Sequence, residues 1–165
     1  LNVEFACTLE TRLIQKYGIE VLNEEHSAWI FLLPRVLANL QYYELKPLQF
    51  SSVKSEYIID IARKITNGEL DLESWRSLDD NSLLQKLISI RGVGQWTAEY
   101  VAMIGYQRFS QAPAADIGLG NAVTTLTGSQ TQLTEENTRA YMKQWAGYRG
   151  LATSYIWHAF SAGFI

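Results

Sequence analysis

Two glycines one residue apart, Gly92-Val93-Gly94, interrupt an otherwise helical and apolar stretch, and no other feature restricts the fold as strongly. The pattern before them predicts a helix over Ser82–Ser89, and a second begins at Gln95 and runs to about Ile104. Joining two helices in so short a turn calls for positive φ and close backbone approach, and glycine allows both. The amides of Gly92 and Gly94, with those opening the next helix, then point outward together. Such a nest at a helix N-terminus suits a phosphate. The same residue types also fit a plain helix–turn–helix corner in which glycine serves close packing.

The remainder of the chain reads as further helices. Phe5, Leu9, Leu13 and Ile14 repeat at helical spacing up to a stop at Tyr17-Gly18. Pro34 opens a short helix within the mixed stretch Ser27–Leu40. Val53, Tyr57, Ile58, Ile61, Ala62 and Ile65 form one face of a helix over Ser52–Thr66, which Asn67-Gly68 ends. Leu72–Leu78 is a short segment, and Asp79-Asp80-Asn81 caps the helix that follows. Asp116 stands before a helical run over Ile117–Leu126, and Thr134 with Glu135 and Glu136 marks a capped start for Thr138–Trp145. A last helix covers Leu151–Ala162. With no alternating strand and no internal repeat, the expected class is all-α.

The 165 residues suit a single domain, 1–165, with a sizeable core. No apolar run approaches bilayer length, so no membrane partner is expected. The opening, Leu1-Asn2-Val3-Glu4, has neither a basic region nor a cleavage site and reads as the middle of a helix, so the expectation is a core truncated at its N-terminus. Cys7 is the only cysteine, which excludes an internal disulfide or a four-thiolate cluster and fits a cytoplasmic setting, or a nuclear one in a eukaryote. His26 and His158 have no companions at zinc-ligand spacing. A net charge of -3 excludes a protein that grips nucleic acid by bulk charge alone. Between Asn81 and Ala115, however, Lys86, Arg91 and Arg108 face only Glu99. A binder that offers backbone amides to a few phosphates needs no global positive field.

Taken as a whole, Leu87–Val101 resembles the hairpin of the helix-hairpin-helix DNA glycosylase superfamily. From Val3 to Phe164 the chain is similar to its 3-methyladenine DNA glycosylase II branch, the AlkA-like proteins. Further matching pieces are Lys54–Ala62, Pro113-Ala114-Ala115-Asp116-Ile117-Gly118-Leu119, and Trp145 through Tyr148-Arg149 to Trp157. The resemblance implies a helical bundle with a cleft beside the hairpin at about 82–104. It implies a monomer that binds double-stranded DNA containing damaged bases, with Gly92, Val93, Gly94, Gln95 and Thr97 at the DNA. Asp116, about twenty residues after the hairpin, falls where the family has its catalytic carboxylate. From the residues alone it reads as a helix N-cap, a role compatible with catalysis.

The implied chemistry is base excision. The target nucleotide is extruded and its base held in a pocket. Breaking the N-glycosidic bond gives the sugar cationic character, which a nearby carboxylate stabilises. An alkylated base is itself cationic, and electron-rich rings bind it by stacking and cation–π attraction. Trp96 and Tyr100 lie four apart and share a helix face; Trp157 matches a pocket tryptophan of the family. Trp29, Trp75 and Phe160 are expected in the core, and no role is assigned to Trp145, Tyr148 or Arg149.

Relatives that also nick the strand have a lysine at the position of Trp96, and here no lysine lies between Lys86 and Lys143. The four cysteines of the iron–sulfur relatives are absent too. The expectation is a monofunctional hydrolase needing no cofactor. The family also implies a structural potassium or sodium ion at the hairpin, held by the main-chain oxygens of Ile88, Ile90 and Val93. Its DNA wedge residue falls near Leu1. A non-catalytic helix-hairpin-helix DNA-binding module is the main alternative, and a helical protein-interaction domain leaves the glycine turn unexplained.

Overall fold

Apolar spacing and caps place most of the helices. In the computed structural model, residues 3–22 and 26–165 are described, so Leu1 and the wedge assigned near it lie outside. Helix α1 (Val3–Tyr17) buries Leu9 and Leu13, one turn apart. An antiparallel pair follows, β1 (Ile19–Leu22) with β2 (Ser27–Ile30), in register Ile19 to Ile30. This pair corrects the expectation of a chain without strands. Every residue in it is exposed, so neither face is selected for burial and no in–out alternation is written into the sequence.

Helix α2 (Pro34–Ala38) starts on a proline, where the missing amide is no loss. A 3-10 segment at Tyr42–Leu48, unassigned from sequence, buries Leu45 fully. Helix α3 (Ser52–Thr66) begins where Ser51 accepts the Lys54 amide, and its buried face carries Ile59 and Ala62. These elements share one core of Leu9, Leu13, Leu37, Leu45, Phe50 and Ile59.

By its internal contacts the chain divides into two compact units, the first ending at Ser74 and the second spanning Trp75–Ile165. The second unit contains α4 (Asp80–Ile88), α5 (Gln95–Ile104), α6 (Ile117–Thr127), α7 (Glu135–Met142) and α8 (Arg149–Ser161). Asp79 accepts the Asn81 and Ser82 amides at the head of α4. Its carboxyl is held below the usual value, first by the Ser82 hydroxyl and then by the Ser82 amide. Thr134 caps α7 directly, so that helix starts one turn earlier than its apolar spacing suggests. Leu83 and Leu87 pack α4 against Ala98 and Ala102 of α5. Leu119, Val123, Met142 and Ile156 join α6, α7 and α8. Trp75 packs on the first of these clusters, whereas Trp29 and Phe160 are exposed and not in a core.

The segment between α5 and α6 is tied down along its length. Arg108 donates to the carbonyls of Arg76 and Leu78, and the Phe109 carbonyl accepts the Gly150 amide at 2.7 Å. Ala112, Pro113 and Ala114 are buried, and the Asp116 amide closes a turn onto the Pro113 carbonyl at 2.9 Å. That turn delivers Asp116 to the head of α6.

Candidate active site around Asp116

In the α4–α5 turn only Gly92 uses the freedom expected of both glycines. Its φ is 92°, a left-handed angle that disfavours side chains. Val93 donates its amide to the Ile90 carbonyl at 3.0 Å. Gly94 is extended, with φ -90° and ψ 177°, and stands at the N-cap of α5 without a side chain to cap it. The first-turn amides of Gln95, Trp96 and Thr97 therefore receive no acceptor from the cap. A Cβ on Gly94 would meet nothing within 4 Å. Internal packing does not require glycine there, and the surface stays open to close approach.

The carbonyls assigned to a cation lie in the same turn. Ile88 ends α4, and Ile90 carries one accepted amide on an oxygen with two lone pairs. Main-chain oxygens of this kind fit a hard monovalent cation. Among the described residues no group of three or more His, Cys, Asp or Glu side chains is placed to hold a metal.

Asp116 receives donors from three elements. Its Oδ1 accepts the Leu119 amide at 2.7 Å, which makes it the cap of α6, and also the Trp157 indole N–H at 3.0 Å. Its Oδ2 accepts the Trp96 indole N–H at 3.3 Å. The carboxylate stands at the N-cap of α6. Gly118 leaves room for this approach, since a Cβ there would lie 3.0 Å from Asp116 Oδ1 and 3.8 Å from the Trp157 indole nitrogen.

The aromatic side chains named from sequence converge on this carboxylate. Trp96 and Tyr100 stack with centroids 5.5 Å apart, and Tyr100 meets Trp157 at 6.1 Å with a 43° tilt. Trp96 remains 40% exposed and Tyr100 38% exposed, so ring surface is available to a ligand. Trp145 and Tyr148 instead line a separate apolar groove with Leu151 and Tyr155.

Sequence reading missed an ion pair whose carboxylate is buried. Glu99 on α5 is 1% exposed and accepts Arg139 of α7 at 2.8 Å and the Gln95 side-chain amide at 2.8 Å. Arg139 also binds Glu135 at 2.9 Å. The Glu99 hydrogen bond is the first of the causes that hold the guanidinium above its usual value. Gln95, named for DNA contact, thus turns its side chain inward and leaves its amide for the turn. The available signal was Glu99 itself, the only charged residue of α5.

Comparison with known proteins identifies the family and the fold. Residues 1–147 match the sequence profile of the HhH-GPD superfamily base excision DNA repair proteins. The Bacillus subtilis protein YfjP, provisionally named a DNA-3-methyladenine glycosylase, is 36% identical over 96% of this chain and 54% of its own length. The 3-methyladenine DNA glycosylase of Archaeoglobus fulgidus superposes with a TM-score of 0.86 at 22% identity, over 96% of this chain and 53% of that one. The Clostridium acetobutylicum 8-oxoguanine glycosylase/lyase bound to DNA gives 0.83 at 20%, over all of this chain and 56% of that one. The chain spans about half the length of the relatives it matches. It belongs to the helix-hairpin-helix (HhH-GPD) superfamily of base excision DNA repair proteins.

Proposed function

We propose that the chain is the catalytic core of a DNA glycosylase that hydrolyses the N-glycosidic bond of alkylated, 3-methyladenine-type bases without cutting the strand. One observation carries the reading: Asp116 presents a carboxylate between two indole N–H donors, beside a stacked and half-exposed aromatic surface. A cationic base stacks on Trp96 and Tyr100, where cation–π attraction favours it over a neutral one. As the bond to the sugar lengthens, positive charge develops at C1′ next to Asp116. A preorganised carboxylate stabilises that charge without having to reorient.

The turn at Gly92–Gly94 holds the DNA. Its uncapped amides and the open face of Gly94 suit a backbone phosphate. Phosphate contacts of this kind position the duplex but carry no sequence information. A monovalent cation on the Ile88, Ile90 and Val93 carbonyls would brace the turn and add positive charge near that phosphate. The alkylated-base class draws on the cation-binding chemistry of the rings and on the name of the 36% identical relative.

The test is chromatographic analysis of free bases released from methylated duplex DNA. Release of 3-methyladenine or 7-methylguanine with the strand left uncut is the expected result. DNA binding with no base released from methylated or oxidised duplex would reduce the chain to a binding module.

A further inference from the structure

A helix that opens on uncapped amides suits an anion, and a negative charge in its own first turns works against that. Helix α5 has such a charge in Glu99. Gln95, the first residue of the helix, donates its side-chain amide to Glu99 Oε1 at 2.8 Å. At 1.5 Å of rise per residue, the two stand about 6 Å apart along the axis. Glu99 is 1% exposed, and its second oxygen, Oε2, is buried without a hydrogen-bond partner among the described residues. Water does not screen a charge so placed, and it lies within a Debye length, about 10 Å at 0.1 M salt, of the turn amides.

Arg139 of α7 supplies the opposite charge. Its Nη1 donates to Glu99 Oε1 at 2.8 Å, and its Nη2 to Glu135 Oε1 at 2.9 Å. A guanidinium stays protonated at any working pH, so the compensation is permanent. The bond to Glu135, one turn back on α7, holds the group in place.

We propose that Arg139 is a positioning residue for DNA binding that acts through Glu99. By neutralising the buried carboxylate it leaves the amides of the Gly92–Gly94 turn free to take a backbone phosphate, and it touches no DNA itself. The inference rests on the phosphate-holding reading of that turn given above. Glu99 in turn keeps the Gln95 side chain inward, so the pair supports the head of α5 without placing a net charge under it.

The test is fluorescence anisotropy with an undamaged duplex, at a temperature where melting curves show every variant folded. Arg139→Gln unmasks Glu99 and weakens binding roughly three- to tenfold, the effect of one charge about 10 Å from a phosphate in a medium between protein surface and water. Glu99→Gln combined with Arg139→Gln removes both charges, keeps an acceptor for Gln95 and returns affinity close to the wild type. Glu99→Gln alone tightens binding, and by more than Glu136→Gln, which removes an exposed carboxylate from α7. A purely structural pair would give a loss in all three variants of Glu99 and Arg139. Wild-type affinity for Arg139→Gln, a double variant as weak as Arg139→Gln, or a gain for Glu99→Gln no larger than for Glu136→Gln overturns the inference. Unchanged affinity in Gly94→Ala instead overturns the phosphate-holding turn, and the inference with it.

Discussion

The Trp157 indole N–H donates to Oδ1 of Asp116 at 3.0 Å across forty-one positions of sequence, and the same oxygen accepts the Leu119 amide at 2.7 Å. Two donors on one oxygen fix the plane of the carboxylate before any substrate arrives. Trp157→Phe keeps an aromatic ring and removes one donor. A hydrogen bond to a charged group contributes about 1.5–3 kcal/mol, so single-turnover base release should fall roughly ten- to hundredfold if orientation is what the bond supplies. Binding to an abasic-analogue duplex should hold. An unchanged rate would show that the Leu119 amide and the Trp96 indole suffice to orient Asp116.

Gly94 and Gly92 separate contact from conformation. Gly94 has a φ any residue adopts and open space where a Cβ would go, so Gly94→Ala should melt like the wild type. If a phosphate approaches there, the added methyl weakens binding to damaged and undamaged duplex in equal proportion. Gly92→Ala instead forces alanine to φ 92° and should lose about 1 kcal/mol or more of stability. Fluorescence anisotropy on both duplexes reads the first effect and thermal melting the second. A Gly94→Ala loss confined to damaged DNA would rule out the phosphate clamp.

Arg139 anchors α5 from α7. Arg139→Met leaves the Glu99 carboxylate, which is 1% exposed, with only the Gln95 side chain; because Arg139 itself is 35% exposed, the loss should be about 1–3 kcal/mol. The double variant Glu99→Leu with Arg139→Met should recover much of that loss, because no charge is left buried. Urea melts of the two variants and the wild type decide it. A double variant no more stable than Arg139→Met would show that the pair is needed for more than mutual neutralisation.

The helices were legible where caps and apolar period agree. Ser51 and Asn67 bound α3, and Gly94 opens α5, at the positions read from sequence. The strands Ile19–Leu22 and Ser27–Ile30 were not, because their residues are all exposed and carry no alternation. Trp96 and Tyr100 were readable as partners from their four-residue spacing. Asp116 was singled out by family resemblance; its residue type alone reads as a cap, which it also is. The Glu99–Arg139 pair spans forty positions and leaves no local pattern.

On the proposed hydrolase reading, Trp96 is the position that separates hydrolysis from lyase chemistry. Strand-nicking relatives have a lysine amine there, whereas this chain presents an indole whose N–H lies 3.3 Å from Asp116 Oδ2. No lysine occurs between Lys86 and Lys143, so no primary amine from that span can attack C1′. Borohydride added during the reaction should trap no covalent protein–DNA adduct, and the abasic strand should remain uncut until treated with alkali. Because Trp96 is 40% exposed, Trp96→Ala should cost little in melting temperature. It removes one stacking surface, about 1–3 kcal/mol, and so should slow release of cationic bases roughly five- to hundredfold. A parallel loss of melting temperature and of activity on every substrate would identify Trp96 as a packing residue. A trapped adduct with the wild-type protein would overturn the hydrolase assignment and point to an amine outside this stretch.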